Sequence, residues 1–148
     1  MRKRTQAREC ALQILYQLDV TKQSMEDALA DFWQQNPFPA EVREFSEILV
    51  KGTHEHLADI DRTIEEFAEN WQLHRMAVID RNILRAATFE LLYLDEVPPK
   101  VTINEAVNIA KKFSQDEAGK FVNGILDKIH HTKTPSTKIQ GKPDSKDA

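Results

Sequence analysis

Apolar residues return every three or four positions along most of this chain, the mark of helices that bury one face. Ala7, Cys10, Ala11, Ile14, Leu15 and Leu18 define the first such face. Arg4, Arg8, Leu12 and Tyr16, spaced by four, form a slanting stripe along one edge of it. Ser24 with Asp27 has the form of a capping box, its acid Asp instead of Glu, and predicts a short helix carrying Ala28, Leu29, Phe32 and Trp33. Asn36-Pro37-Phe38-Pro39 ends that helix, because proline lacks an N–H and disfavours helix in the residue before it. From Ala40 to about Asn70 the positions Val42, Phe45, Leu49, Gly52, His56, Ile60, Ile64 and Phe67 hold helical phase. The stretch is long for one globular helix, and Asp59 or Asp61 is the expected cap of a break within it.

Residues 72–75 read as a connection. Val78, Ile79, Ile83, Ala86, Ala87, Leu91 and Leu94 mark the next amphipathic helix, which stops before Val97-Pro98-Pro99. Thr102 with Glu105 and Ser114 with Glu117 read as two further capping boxes. The first opens a helix with Ala106, Val107, Ala110 and Phe113, and the second a helix with Phe121, Val122, Ile125, Leu126 and Ile129. No alternating strand pattern competes, so the expectation is an all-α fold, a compact bundle of six to seven helices over residues 1–131. Residues 132–148 hold one isolated Ile139 among Thr, Lys, Ser, Pro and Asp, too little to bury, and are expected to be a disordered polar tail.

Composition narrows the classes. With 148 residues the chain is long enough for a core without metal or disulfide staples. The single cysteine, Cys10, cannot form an internal disulfide, which points to a reducing compartment. No run of about 18 apolar residues is present, so no membrane span is expected, and the chain is read as cytoplasmic. The net charge of −4 argues against non-specific nucleic-acid binding by the whole surface. Its distribution is uneven. Residues 23–70 hold twelve acidic residues against Arg43, Lys51 and Arg62, whereas the N-terminal stretch carries Arg2, Lys3, Arg4 and Arg8. An RNA site on such a chain is a local, weak patch.

Catalytic signals are absent. There is no glycine-rich phosphate loop and no nucleophile elbow. His54 and His56, two apart on a helix, point about 200° away from each other and cannot share an ion. Cys10 lies on the apolar face of the first helix and reads as core, and His130 and His131 read as a helix C-terminus favoured by its dipole. No metal, no cofactor and no enzymatic activity are expected. The basic N-terminus is the best lead, since arginines grip phosphates bidentately beside bases read by stacking. Tyr16 on the same stripe either stacks on a base or covers the edge of the core.

Three ordered segments carry a resemblance. Ala7 to Tyr16 (AREC ALQILY), Trp71 to Tyr93, and above all Pro98 to Val107 followed by AKKF at 110–113 and KFVNGILD at 120–127 resemble the NusB family, and together they span residues 3–131. The resemblance implies an all-α fold of two small helical subdomains. It implies binding of boxA RNA together with NusE, a small-subunit ribosomal protein, within the RNA polymerase antitermination complex that suppresses premature termination, chiefly in ribosomal RNA operons. On the family motifs, Lys3, Arg4, Arg8 and Tyr16 are the expected RNA contacts. Leu12, Asp80, Arg85, Phe113, Glu117 and Phe121 are expected to face the partner, although Phe113 and Phe121 equally fit the core pattern. Thr5-Gln6 interrupts the arginine cluster, and Glu117-Ala118-Gly119 replaces a more polar family stretch. The rival from an enzyme class is an accessory domain acting with an RNA methyltransferase, which would need a second chain for catalysis.

Overall fold

A computed structural model describes residues 2–69 and 71–133. The described residues form seven α-helices: α1 Lys3–Thr21, α2 Met25–Gln35, α3 Ala40–Glu55, α4 Leu57–Phe67, α5 Val78–Tyr93, α6 Pro99–Phe113 and α7 Ala118–Lys133, with one 3-10 turn at Leu73–Arg75. No strand occurs among them, and none of their helices is long and apolar enough to cross a membrane. α1, α2 and α3 pack together as one subdomain, and α4, α6 and α7 gather around α5 as the other. α5 also touches α1 and α3, so it is the shared wall between the two.

The core follows the apolar phase. Ile14, Leu49, Ile60, Ile64, Leu84, Leu91, Leu126 and Ile129 are fully buried, each contributing about 1.5–3 kcal/mol of transfer free energy. Ser24 caps α2 as its sequence suggests, its Oγ accepting the Asp27 N–H at 3.1 Å. At the other end Asn36 donates its side-chain amide to the Phe32 carbonyl at 2.9 Å, just before Pro37. α1 ends at Lys22, which takes the left-handed conformation (φ 60°) and returns its N–H to the Leu18 carbonyl.

Four boundaries differ from the sequence reading. The long 40–70 segment breaks at His56, not at Asp59 or Asp61, and Asp59 lies in the first turn of α4, where an acid suits the helix dipole. The His56 ring leaves the helical path to stack on Tyr93 at 4.0 Å, with Phe89 behind it at 6.3 Å. Close by, α3 meets α5 at Gly52, where a Cβ would lie 2.0 Å from Phe89 Cζ. Thr102 is no cap: α6 starts three residues earlier with Pro99 in its first turn, and Thr102 is buried inside the helix. Ser114 closes α6 instead of opening α7, its N–H going to the Ala110 carbonyl. α7 runs to Lys133, so Thr132 and Lys133 belong to the helix, while residues 134–148 of the expected tail lie outside the described residues.

Candidate nucleic-acid interface

An α-helix turns about 100° per residue, so steps of four drift by about 40° each and the stripe Arg4, Arg8, Leu12, Tyr16 crosses from one side of α1 to another. Its ends are at the surface and its middle is not. Tyr16 is 41% exposed, whereas Arg8 and Leu12 are only 7% and 6% exposed. Leu12 is a core residue. Arg8 is held inside by a bidentate pair with Glu90 of α5, its Nε and Nη2 donating at 2.9 and 2.8 Å. Burial opposes its charge, yet the hydrogen bonds and charges of Glu90 and Glu105 more than offset that and raise its pKa. Both residues are therefore corrected from surface contacts to interior positions.

The remaining cations of the first turn are accessible, and they meet acids. Lys3 pairs with Glu41 of α3. Arg4 donates to Glu96 at 3.0 Å and lies 4.2 Å from the centroid of the Phe45 ring. Arg2 precedes them at the exposed N-cap of α1. Exposed ion pairs of this kind are worth about 0–1 kcal/mol, so a phosphate can replace the carboxylate; the buried Arg8–Glu90 pair offers no such exchange.

Cross-helix pairs set the direction of the surface. Thr5 donates to Glu105 at 2.8 Å and Lys112 to Glu9 at 3.1 Å, so α1 runs alongside α6 in the same sense. Arg8–Glu90 and Asp19–Arg81 show that α1 runs antiparallel to α5. Phe113 ends α6 with its ring 37% exposed, the Lys112 ammonium 5.2 Å from its centroid. Tyr16 lies seven residues beyond Glu9 on the same face of α1, about 10 Å further along, toward the end at which α5 begins.

There α5 and α7 form a groove of about 200 Å³ lined by Trp71, Met76, Asp80, Glu117, Ala118 and Phe121. Three of the expected partner residues, Asp80, Glu117 and Phe121, thus come together. The Phe121 ring is half-buried against the edge of Trp71 at 5.7 Å, and Asp80 Oδ1 is buried without a hydrogen-bond partner. Trp71, 53% exposed, was given no site role by the sequence reading. Its signal was a large aromatic between two helical phases, where no helix face is available to bury it.

Arg85 does not join this groove. It donates to both carboxylate oxygens of Asp61 at 2.8 and 3.0 Å and to Asp19 at 3.1 Å, a correction from partner contact to internal clamp. Burial would raise the Asp19 carboxyl, but hydrogen bonds from Arg81 and Asn82 and the charges of Arg81 and Arg85 hold it at about 2. The Cys10 thiol is buried, and burial together with Glu9 pushes it up to about 11. Among the described residues no group of three His, Cys, Asp or Glu is placed to hold a metal ion.

Set against known proteins, residues 5–131 match the model of the NusB family. A transcription antitermination protein NusB from Anaeromyxobacter dehalogenans is 50% identical over 128 residues, 86% of this chain and 89% of its own length. NusB of T. maritima superposes with a TM-score of 0.85 at 34% identity, covering 95% of this chain and 98% of the other. A chain from the crystal structure of antitermination factors NusB and NusE with double-stranded RNA superposes with a TM-score of 0.81 at 30% identity, covering 88% and 98%.

Proposed function

The chain belongs to the NusB family, and on that premise we propose that it is an RNA-binding transcription antitermination factor acting with the ribosomal protein NusE. Its RNA is boxA in nascent transcripts. The RNA–NusE complex joins the RNA polymerase antitermination complex and suppresses premature termination, notably in ribosomal RNA operons. The observation that carries this reading is the likeness to a chain solved with NusE and RNA over 98% of that chain's length. The charge distribution agrees with it. Lys3 and Arg4 are exposed cations whose acid partners are exchangeable, on a body of net charge −4 that needs help to hold RNA.

Lys3, Arg4 and Tyr16 are the assigned RNA contacts. Asp80, Glu117 and Phe121 are assigned to the NusE side, with Phe113 at its edge. NusE then supplies positive field that this chain lacks, so NusE raises RNA affinity and RNA raises NusE affinity by the same factor. Calorimetric titration of boxA RNA, with and without NusE, tests the function; no binding under either condition would refute it. Asp80→Lys tests the surface: it should weaken NusE binding by like-charge repulsion while leaving RNA binding unchanged or slightly stronger. NusE affinity equal to wild type with RNA binding lost would place Asp80 on the RNA side instead.

A further inference from the structure

The first turn of α1 is intrinsically poor helix. Arg2 at its N-cap makes no side-chain capping bond, and no acidic residue lies in the turn. Lys3 and Arg4 instead bring positive charge to the positive end of the helix dipole. Isolated, such a terminus frays, because its first N–H groups have no partners. Tertiary contacts hold it in place: besides the exposed pairs Lys3–Glu41 and Arg4–Glu96, the buried ones converge on Arg8.

The convergence is a closed polar cluster on three helices. Arg8 grips Glu90 of α5 bidentately, and its Nη1 reaches Glu105 of α6 at 3.4 Å. Thr102 of α6 donates to Glu90 Oε1 at 2.9 Å, and Thr5 of α1 donates to Glu105 at 2.8 Å. A small, mainly apolar pocket of about 20 Å³ adjoins the cluster, lined by Arg8, Glu90 and Thr102 together with Leu12, Leu49 and Ile83. Four residues toward the N-terminus, Arg4 lies over Phe45, whose ring centroid is also 5.3 Å from the Arg8 guanidinium.

We propose that Arg8 is a positioning residue for RNA recognition: locked to Glu90 and Glu105, it fixes the first turns of α1 so that Lys3 and Arg4 are presented as a rigid pair, and it does not touch RNA itself. The proposal rests on the RNA-binding function above. Rigid presentation limits the conformational entropy lost when phosphates are gripped.

The test uses boxA RNA with NusE present, titrated over a salt series, for wild type, Glu90→Gln, Thr5→Val and the double variant Arg8→Met/Glu90→Met. Glu90→Gln removes a negative charge, which by field alone would strengthen RNA binding; positioning requires several-fold weaker binding instead. It also requires a salt dependence that falls by more than one contact, each worth about 0.7 in slope on a single strand. The double variant replaces a buried pair by apolar groups of similar size, a change often neutral for stability, and should restore wild-type affinity and slope. Thr5→Val, which leaves every charge in place, should weaken binding by a smaller factor. Amide exchange should quicken in the first two turns of α1 in Glu90→Gln and Thr5→Val, and return to normal in the double variant. A double variant with wild-type exchange but a slope lower by one contact would make Arg8 a phosphate ligand and overturn the proposal. Should Glu90→Gln fail to fold, wild-type RNA binding by Thr5→Val would overturn it. If wild type itself binds no RNA, the function fails, while the exchange data still report whether the cluster anchors α1.

Discussion

Near its N-terminus α1 offers a cation, Arg8, to acids of α5 and α6; near its C-terminus it offers an acid, Asp19, to Arg81, Asn82 and Arg85 of α5. The polarity is exchanged, and so is the wiring. Arg8 is gripped bidentately by Glu90, both almost wholly buried, with Glu105 a second, longer partner at 3.4 Å. Asp19 accepts from three side chains, and Arg85 is also gripped by the more open Asp61. Glu90 has Arg8 as its buried counter-charge, whereas the charge of Asp19 is met by two arginines, so losing one partner leaves more uncompensated charge at the first site than at the second. The same helix is therefore fastened by a deeply buried pair near its N-terminus and by a more shared, more open cluster near its C-terminus.

The largest expected effect comes from breaking the deeply buried end. Arg8→Ala leaves Glu90 buried without its counter-charge and should cost about 3–5 kcal/mol in urea unfolding; a loss below about 1 kcal/mol would mean that water relieves the site and that the two ends do not differ as described. Next comes the acid response of the Asp19 end. The Asp19 carboxyl is depressed from 3.8 to about 2, so its contribution is fully present above about pH 4 and is lost as pH falls through about 2. The linkage is on the order of 2 kcal/mol, and Asp19→Asn should flatten the stability–pH curve over that window.

A smaller effect concerns the exposed pairs. Glu96→Gln frees Arg4 from its carboxylate and should tighten boxA binding about two- to threefold with a steeper salt dependence, leaving stability within about 0.5 kcal/mol. Unchanged affinity would remove Arg4 from the RNA surface. The smallest is at the end of α1. Lys22 is left-handed at φ 60°, and its ammonium reaches Asp19 at a long 3.9 Å. Lys22→Gly relieves the backbone and should raise stability by up to about 1 kcal/mol, read from the thermal midpoint.

The helices were legible because each buries one face, and a repeat of three and four residues records that face directly. Ser24 was legible as a cap because its bond is local, reaching Asp27. Thr102 with Glu105 has the same spelling as a cap, yet their partners, Glu90 and Thr5, come from other helices. Nothing in local spacing reveals a partner 82 residues away, which is why Arg8 read as a surface cation. The break at His56 was hidden for a related reason: the apolar phase continues across it, and what distinguishes the position is its stacking on Tyr93 from α5. At the candidate site, family motifs pointed to Asp80, Glu117 and Phe121, which do share a groove, whereas Trp71 joins them there because of where a connecting segment comes to rest.

Cys10 has a practical consequence. It is the chain's one cysteine, sits at 1% exposure in the middle of α1, and its thiol titrates near 11, so the folded protein presents almost no thiolate to a reagent at neutral pH. Modification must wait until α1 lifts from α3 and α5. The rate of thiol labelling therefore clocks that opening, and its slowing on addition of RNA or NusE would measure, in the unmodified natural chain, how far each ligand clamps the helix shut.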